Sequence, residues 1–254
     1  MKTNPKLEKN VFFDINKLPA EKGLLLFGLS MNKLDHGRQT AKDCLEDIRH
    51  ISPSKISKPF VGCNFIYSDF LNLYSDKKAP EIKDSLMDQV IRHKNSLQRL
   101  LGKNNIELQI QHSFNYLVWN QLYVGTIDFN ELFRELKEIY SQDEKFQKYI
   151  EDDCKIYGRE MGENQVNFYL EEILMFYLLT HNKVKLPNEY IEGQQKWILY
   201  CYPGKPLKST VYIYQLDPFK LTCPENPYAR AHYDLESKQL IEFDRVDLDT
   251  YTVR

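Results

Sequence analysis

The chain has 254 residues, 42% hydrophobic and 28% charged, which is enough to bury a sizeable core and ordinary for a globular α/β protein. A net charge of −2 excludes a generic nucleic-acid coat, and no apolar run approaches the length of a membrane-spanning helix. The charged start, Met1-Lys2-Thr3-Asn4-Pro5-Lys6, leads to the expectation of no secretory signal, and five scattered cysteines without a Cys-x-x-Cys pair read as reduced thiols in a cytoplasmic protein.

Residues 1–20 are polar and are expected to form a lead-in. The run Gly23-Leu24-Leu25-Leu26-Phe27-Gly28-Leu29 predicts a strand buried on both faces, ending at Ser30. Ala41, Leu45 and Ile48 predict a helix over 38–50, broken at Ser52-Pro53-Ser54, and 60–67 predicts a second buried strand. This strand–helix–strand order argues for a parallel sheet. A long helix follows over 80–101, stopped by Gly102, and the alternation at 106–111 predicts a third strand. Helices are expected over 128–140, 143–157 and 163–179, the first two capped by Asp128 and Asp143. A polar insertion spans 182–195, a strand 197–202, and order resumes at 211–214 before a polar tail over about 216–254. With no repeat and no low-complexity linker, a single Rossmann-like domain is the simplest organisation.

In an open α/β sheet, ligands bind at the carboxyl ends of the strands, so the hydroxyl of Ser30 is placed to act as a nucleophile. A serine needs a neighbouring base or an already activated ester. Gly28-Leu29-Ser30-Met31-Asn32 lacks the second glycine of the GxSxG elbow, and neither GxGxxG nor GxxxxGK[ST] occurs. The six histidines show no metal-ligand spacing, so neither metal nor cofactor is expected. In 167–176 an apolar helix is interrupted by Glu171 and Glu172. Neighbouring helical positions lie 100° apart, so at most one carboxylate is expected inside, where it could hold an ammonium group or accept a proton. On the long helix, Arg92, Arg99 and Lys103 fall on one narrow stripe in a stretch without acids, which suits phosphate contacts or a solvated face.

Taken in order, these segments resemble the tRNA-dependent cyclodipeptide synthases, over about residues 20–215. The strand ending in Gly-x-Ser is matched by Gly28-Leu29-Ser30. The helix with an aromatic residue, Glu four positions later and then Phe is matched by Phe168, Glu172 and Phe176, and the strand ending Cys-Tyr by Cys201-Tyr202. Lys33 and Pro203 stand where one branch has Asn and His or Gln, which places the chain with the other branch, called XYP. Phe168 and Phe129 stand where family members have tyrosines, with Tyr169 a candidate to supply the missing hydroxyl.

The resemblance implies a Rossmann-like domain akin to class I aminoacyl-tRNA synthetases but without ATP. It implies ping-pong acyl transfer from two aminoacyl-tRNAs through an aminoacyl-serine and a dipeptidyl-serine to a cyclic dipeptide. Ser30 would be the nucleophile, Glu172 the ammonium anchor and base, and Tyr202 the orienting or relaying phenol. Leu26, Gly28, Phe168, Tyr169, Phe176, Tyr200 and Pro203 would bind the aminoacyl group. Arg92, Arg99 and Lys103 would bind the tRNA acceptor stem, and the enzyme would act as a monomer. Two readings from other classes stay open: a non-catalytic RNA-binding module, and a serine hydrolase of small esters. Convergence of Ser30, Glu172 and Tyr202 speaks against the first, and a histidine bonded to Ser30 would favour the second.

Overall fold

A computed structural model of the chain describes residues 23–35, 38–51, 60–68, 79–103, 114–124, 126, 128–184, 197–224 and 226–253. The expected lead-in at 1–20, the strand at 106–111, the break at 52–54 and most of the insertion at 182–195 lie outside them.

Among the described residues six strands make one sheet: β1 (Gly23–Leu29), β2 (Phe60–Tyr67), β3 (Phe114–Val118), β4 (Trp197–Tyr202), β5 (Ala231–Asp234) and β6 (Gln239–Glu242), in the order β3-β2-β1-β4-β5-β6. The first five are parallel, and β6 runs antiparallel to β5. The all-parallel expectation therefore needs one correction, at the edge. A second correction concerns the expected tail, because β5 and β6 both come from it and complete the sheet.

Seven α-helices among the described residues flank the sheet: α1 (Ala41–Ile51), α2 (Ala79–Lys103), α3 (Trp119–Val124), α4 (Phe129–Gln142), α5 (Glu144–Ile156), α6 (Glu163–Thr180) and α7 (Lys208–Leu216). Strand periodicity sorts the core between the two faces. Leu24 and Leu26 of β1 with Ile198 and Tyr200 of β4 face a cluster built from α3 to α7. Leu25, Phe27 and Leu29 with Trp197, Leu199 and Cys201 face α1 and α2. Every residue of β1 is buried, as its unbroken apolar run requires. The same parity carries Gly28 and Ser30 onto the α6 side.

Asp143 caps α5 as expected, its Oδ1 accepting from the backbone N–H of Lys145 and Phe146. Asp128 does not cap α4: its backbone is left-handed, at φ 62, and its side chain makes no capping hydrogen bond. Aspartate tolerates that conformation, which turns the chain into α4 with Phe129 buried at its start.

Candidate active site

The strand order reverses at β1, whose neighbours are β2 on one side and β4 on the other. Such a switch point opens a crevice at the carboxyl ends of the strands. Here the β1–β4 ladder stops at Phe27 and Cys201, while β1 follows β2 to Leu29 and β4 follows β5 to Tyr202. Beyond that point the two strands are no longer paired, and a cavity of about 290 Å³ opens between their ends and α6.

Ser30, Glu172 and Tyr202 all line it, with Gly28, Phe168, Tyr169, Phe176 and Tyr200. The contribution of α6 follows from helix geometry: Phe168, Glu172, Phe176 and Thr180 recur every fourth residue and form one stripe. Gly28 is required by close approach, since a Cβ there would overlap Tyr200 Oη and lie 3.0 Å from Tyr200 Cζ and 3.1 Å from Tyr202 Cδ2. Leu26 and Pro203 do not line the cavity. Leu26 sits below its floor in the core, fully buried, and Pro203 is buried after the end of β4. Phe129 packs against Tyr123 and Phe133, also away from the cavity.

Ser30 leads into a 3-10 turn at Met31–Lys33 and makes no side-chain capping bond. Its backbone is fixed instead. Gln39 Oε1 accepts from the Ser30 N–H at 2.8 Å, and Gln39 Nε2 donates to the Gly28 carbonyl at 2.6 Å. The Gln39 carbonyl accepts from His93 Nε2 at 2.9 Å, so the other nitrogen, Nδ1, accepts from Tyr67 Oη at 2.9 Å. This buried chain ties the serine to α2.

Burial raises the Glu172 carboxyl from its ordinary 4.5 to about 7, opposed by the positive charges of Arg159 and Lys33. A carboxyl poised there can hold an ammonium group and also exchange a proton at neutral pH. Burial pushes the Tyr202 phenol well above its ordinary value, and Glu172 and Tyr157 add to the rise while Ser30 and Arg159 oppose it. Burial likewise lowers the Lys33 ammonium, against the pull of Glu236 and Glu172.

Glu171 corrects the expectation that the second carboxylate stays in solvent. It is 2% exposed and accepts from Trp119 Nε1 at 3.1 Å. The helix is enclosed on both sides, so its apolar character runs nearly all round.

Lys33, Arg159 and part of the expected tail enter the site although the sequence assigns them no role in it. Lys33, which in the sequence serves only to tell the two branches apart, points into the cavity, donates to Tyr202 Oη at 3.2 Å and lies 4.9 Å from the centre of its ring. Arg159, from the link between α5 and α6, sits 4.9 Å over the ring of Phe168. The Tyr169 hydroxyl accepts from Arg159 Nη1 and donates to the Asp153 carbonyl, each at 3.4 Å. Ala231, His232 and Phe243 reach the cavity from the expected tail. His232 donates through Nε2 to the Gly204 carbonyl at 2.9 Å, and burial lowers its pKa to about 4, leaving it neutral. Among the described residues no histidine is bonded to Ser30. Cys201 is a fully buried thiol, pushed far up by that burial.

Arg92, Arg99 and Lys103 are all exposed on α2, on the face opposite buried Val90, His93, Leu97 and Leu101. The helix packs beside the turn that follows Ser30, where Gln89 donates to Asp35 at 3.1 Å. Among the described residues no group of three or more potential ligands is placed to hold a metal ion, and no described helix is long and apolar enough to cross a membrane.

No protein-family model and no curated protein matches the sequence. Solved structures do. The fold is similar to that of a CDPS from Staphylococcus haemolyticus, with a TM-score of 0.53 and 10% identity over 81% of this chain and 87% of that one. It is also similar to a cyclodipeptide synthase from Bacillus thermoamylovorans, with a TM-score of 0.50 and 14% identity over 81% and 86%. At these identities the likeness is one of fold: the chain has the architecture of these enzymes.

Proposed function

We propose that the chain is a tRNA-dependent cyclodipeptide synthase. The observation that carries this reading is the meeting of Ser30, Glu172 and Tyr202 in one cavity at the switch point of the sheet. Three segments far apart in sequence, each short, supply the nucleophile, carboxylate and phenol that the reaction asks for. Among the described residues the histidine that lines the cavity, His232, is engaged with Gly204 rather than with Ser30.

The reaction runs by ping-pong acyl transfer. Ser30 Oγ bonds to the carbonyl carbon of an aminoacyl ester, the bond to the ribose oxygen breaks, and the serine proton leaves with that oxygen. The ester is already activated, so no complete triad and no cofactor is needed. Glu172 holds the ammonium of the bound aminoacyl group. It then takes a proton from the second aminoacyl-tRNA's amine as that amine attacks the aminoacyl-serine. Tyr202 orients the dipeptidyl ester and relays a proton as the free amine closes the ring and releases Ser30.

At about 290 Å³ the cavity lies at the small end of ligand sites, which suits one acyl group with the start of its leaving group. Its inner wall of Ile66, Trp119, Phe176, Tyr200 and Phe243 fits an apolar side chain. The exposed stripe Arg92, Arg99 and Lys103 would meet the acceptor stem. Lys33 and Pro203 keep the chain in the XYP branch. The reading makes it a monomeric cytoplasmic enzyme, because charged tRNA is found there.

The test is mass spectrometry of medium from bacteria expressing the chain beside a Ser30→Ala control. A diketopiperazine present only with the intact serine supports the reading and identifies the residues joined. A folded, soluble parent that yields none refutes it, and tRNA binding without product would favour the RNA-binding module.

A further inference from the structure

Tyr200 lines the cavity and is 7% exposed, yet among the described residues its hydroxyl has no hydrogen-bond partner. A buried hydroxyl left unpaired is costly, and most find a partner. Its position follows from the sheet. Tyr200 stands opposite Leu26 in the β1–β4 ladder, and its ring leans along the strand until Oη rests against Gly28, in the space a Cβ would take. Phe176 packs against the ring at 4.3 Å between centres, and Tyr202 stacks nearly parallel to it at 6.4 Å. A bare glycine and two packed rings therefore fix this hydroxyl one strand step below Ser30.

Gly28 and Ser30 face the same side of β1, two residues or about 6.6 Å apart. An acyl group on Ser30 Oγ whose carbonyl turns back toward Gly28 covers that distance with its own bonds and one hydrogen bond of about 2.7–3.1 Å. Three other hydrogen-bonding groups at the cavity are engaged: the Ser30 N–H with Gln39, the Tyr169 hydroxyl with the Asp153 carbonyl, and the Tyr214 hydroxyl with Thr180. Burial holds the Tyr200 phenol well above its ordinary pKa, with Tyr202 and Glu172 adding to the rise, so it stays protonated and able to donate.

We propose that the Tyr200 hydroxyl is a catalytic donor to the carbonyl oxygen of the acyl group that Ser30 accepts. This rests on the acyl-transfer reading above and gives that reaction its oxyanion contact. As Ser30 Oγ bonds to the carbonyl carbon, the second electron pair of the C=O bond moves onto oxygen and meets the Tyr200 O–H. The pair returns as the bond to the ribose oxygen breaks, and the serine proton leaves with that oxygen. Tyr200 keeps its own proton throughout. The same donor is in place when the second amine attacks the aminoacyl-serine at the same carbon.

Tyr200→Phe removes the oxygen and keeps the ring. Acylation of Ser30 is followed in the parent and the variant by quenched-flow and intact-mass spectrometry over a range of tRNA concentrations. The donor is tRNA charged with an amino acid that the expression test recovers, and thermal unfolding of both proteins is measured alongside. The maximal acylation rate is expected to fall about a hundred- to thousandfold, with the half-saturating tRNA concentration unchanged. The variant should melt no lower than the parent, because the missing hydroxyl leaves no protein group unpaired. A half-saturating concentration that rises while the maximal rate holds would reveal a ground-state contact, and an unchanged rate no contact at all; either overturns the proposal. So does a variant that melts lower or fails to fold, since the hydroxyl would then serve the fold. A parent that is not acylated refutes the acyl-transfer reading itself, whatever the variant does.

Discussion

Replacing Glu172 by glutamine keeps the shape of the side chain and removes a charge that the cavity holds at a cost. In the native protein the carboxyl titrates near 7, against 4.5 in the ordinary range. Each tenfold change in that proton equilibrium is worth about 1.4 kcal/mol, so ionisation of Glu172 opposes folding by roughly 3 kcal/mol at most. The side chain keeps some contact with solvent in the cavity, which brings the expected effect to about 1–2 kcal/mol. The sign follows from linkage. Between about pH 4.5 and 7 the folded protein holds a proton that the unfolded chain has released, so this contribution to stability declines as pH rises through that window and is flat above it. Glu172→Gln does not titrate. It should therefore unfold at a higher temperature than the parent at pH 8, by about 2–8 °C for a chain of this size, with the gap closing toward pH 5. Thermal and urea unfolding of both proteins at the two pH values measures this without substrate. A difference independent of pH, or a variant less stable than the parent at pH 8, would refute the burial argument. Product formation by the same variant should fall sharply, so that stability rises as activity is lost.

Gly28→Ala forces Tyr200 away from β1, with a packing cost of about 1–3 kcal/mol and a loss of product larger than the stability change explains; thermal melts beside product yield separate the two. Lys33→Met keeps the apolar stem but removes the donor to Tyr202. Because burial already disfavours the ammonium, stability should change by no more than about 1 kcal/mol while product formation slows about tenfold; an unchanged rate would show that the contact does not matter. Gln39→Ala leaves the Ser30 N–H and the Gly28 carbonyl without their partner, at a cost of about 1–3 kcal/mol for each buried group. Its melting temperature and Ser30 acylation should therefore fall together.

How much of this was legible in the sequence depends on how local the cause is. The parity Leu24, Leu26, Gly28, Ser30 and the fourfold series Phe168, Glu172, Phe176 are properties of single elements, and both hold in the fold. Lys33 and Arg159 sit in turns, where a charged residue reads as solvated until another element closes over it. Glu171 could be placed inside only by knowing that Trp119, 52 residues away, supplies a donor. The strands Ala231–Asp234 and Gln239–Glu242 are four residues each, too short for alternation to stand out, so the segment read as a tail. Leu26 had the right parity but lies one step too deep to meet a ligand.

The arrangement around Ser30 also bears on what kind of acyl transfer the cavity can support. An acyl-transfer serine commonly has a basic histidine beside it and a free backbone N–H for the oxyanion. Here the Ser30 N–H is held by Gln39, and the histidine at the cavity is neutral and turned toward Gly204. What surrounds the serine instead is a phenol that accepts from a partly desolvated ammonium, with a carboxyl near neutrality across the cavity. Such a set is poor at drawing a proton from serine to attack a stable amide, but it can stabilise negative charge and steer an amine. Those abilities match a substrate that arrives activated and a second reactant that is itself an amine, which is the chemistry of joining two aminoacyl esters.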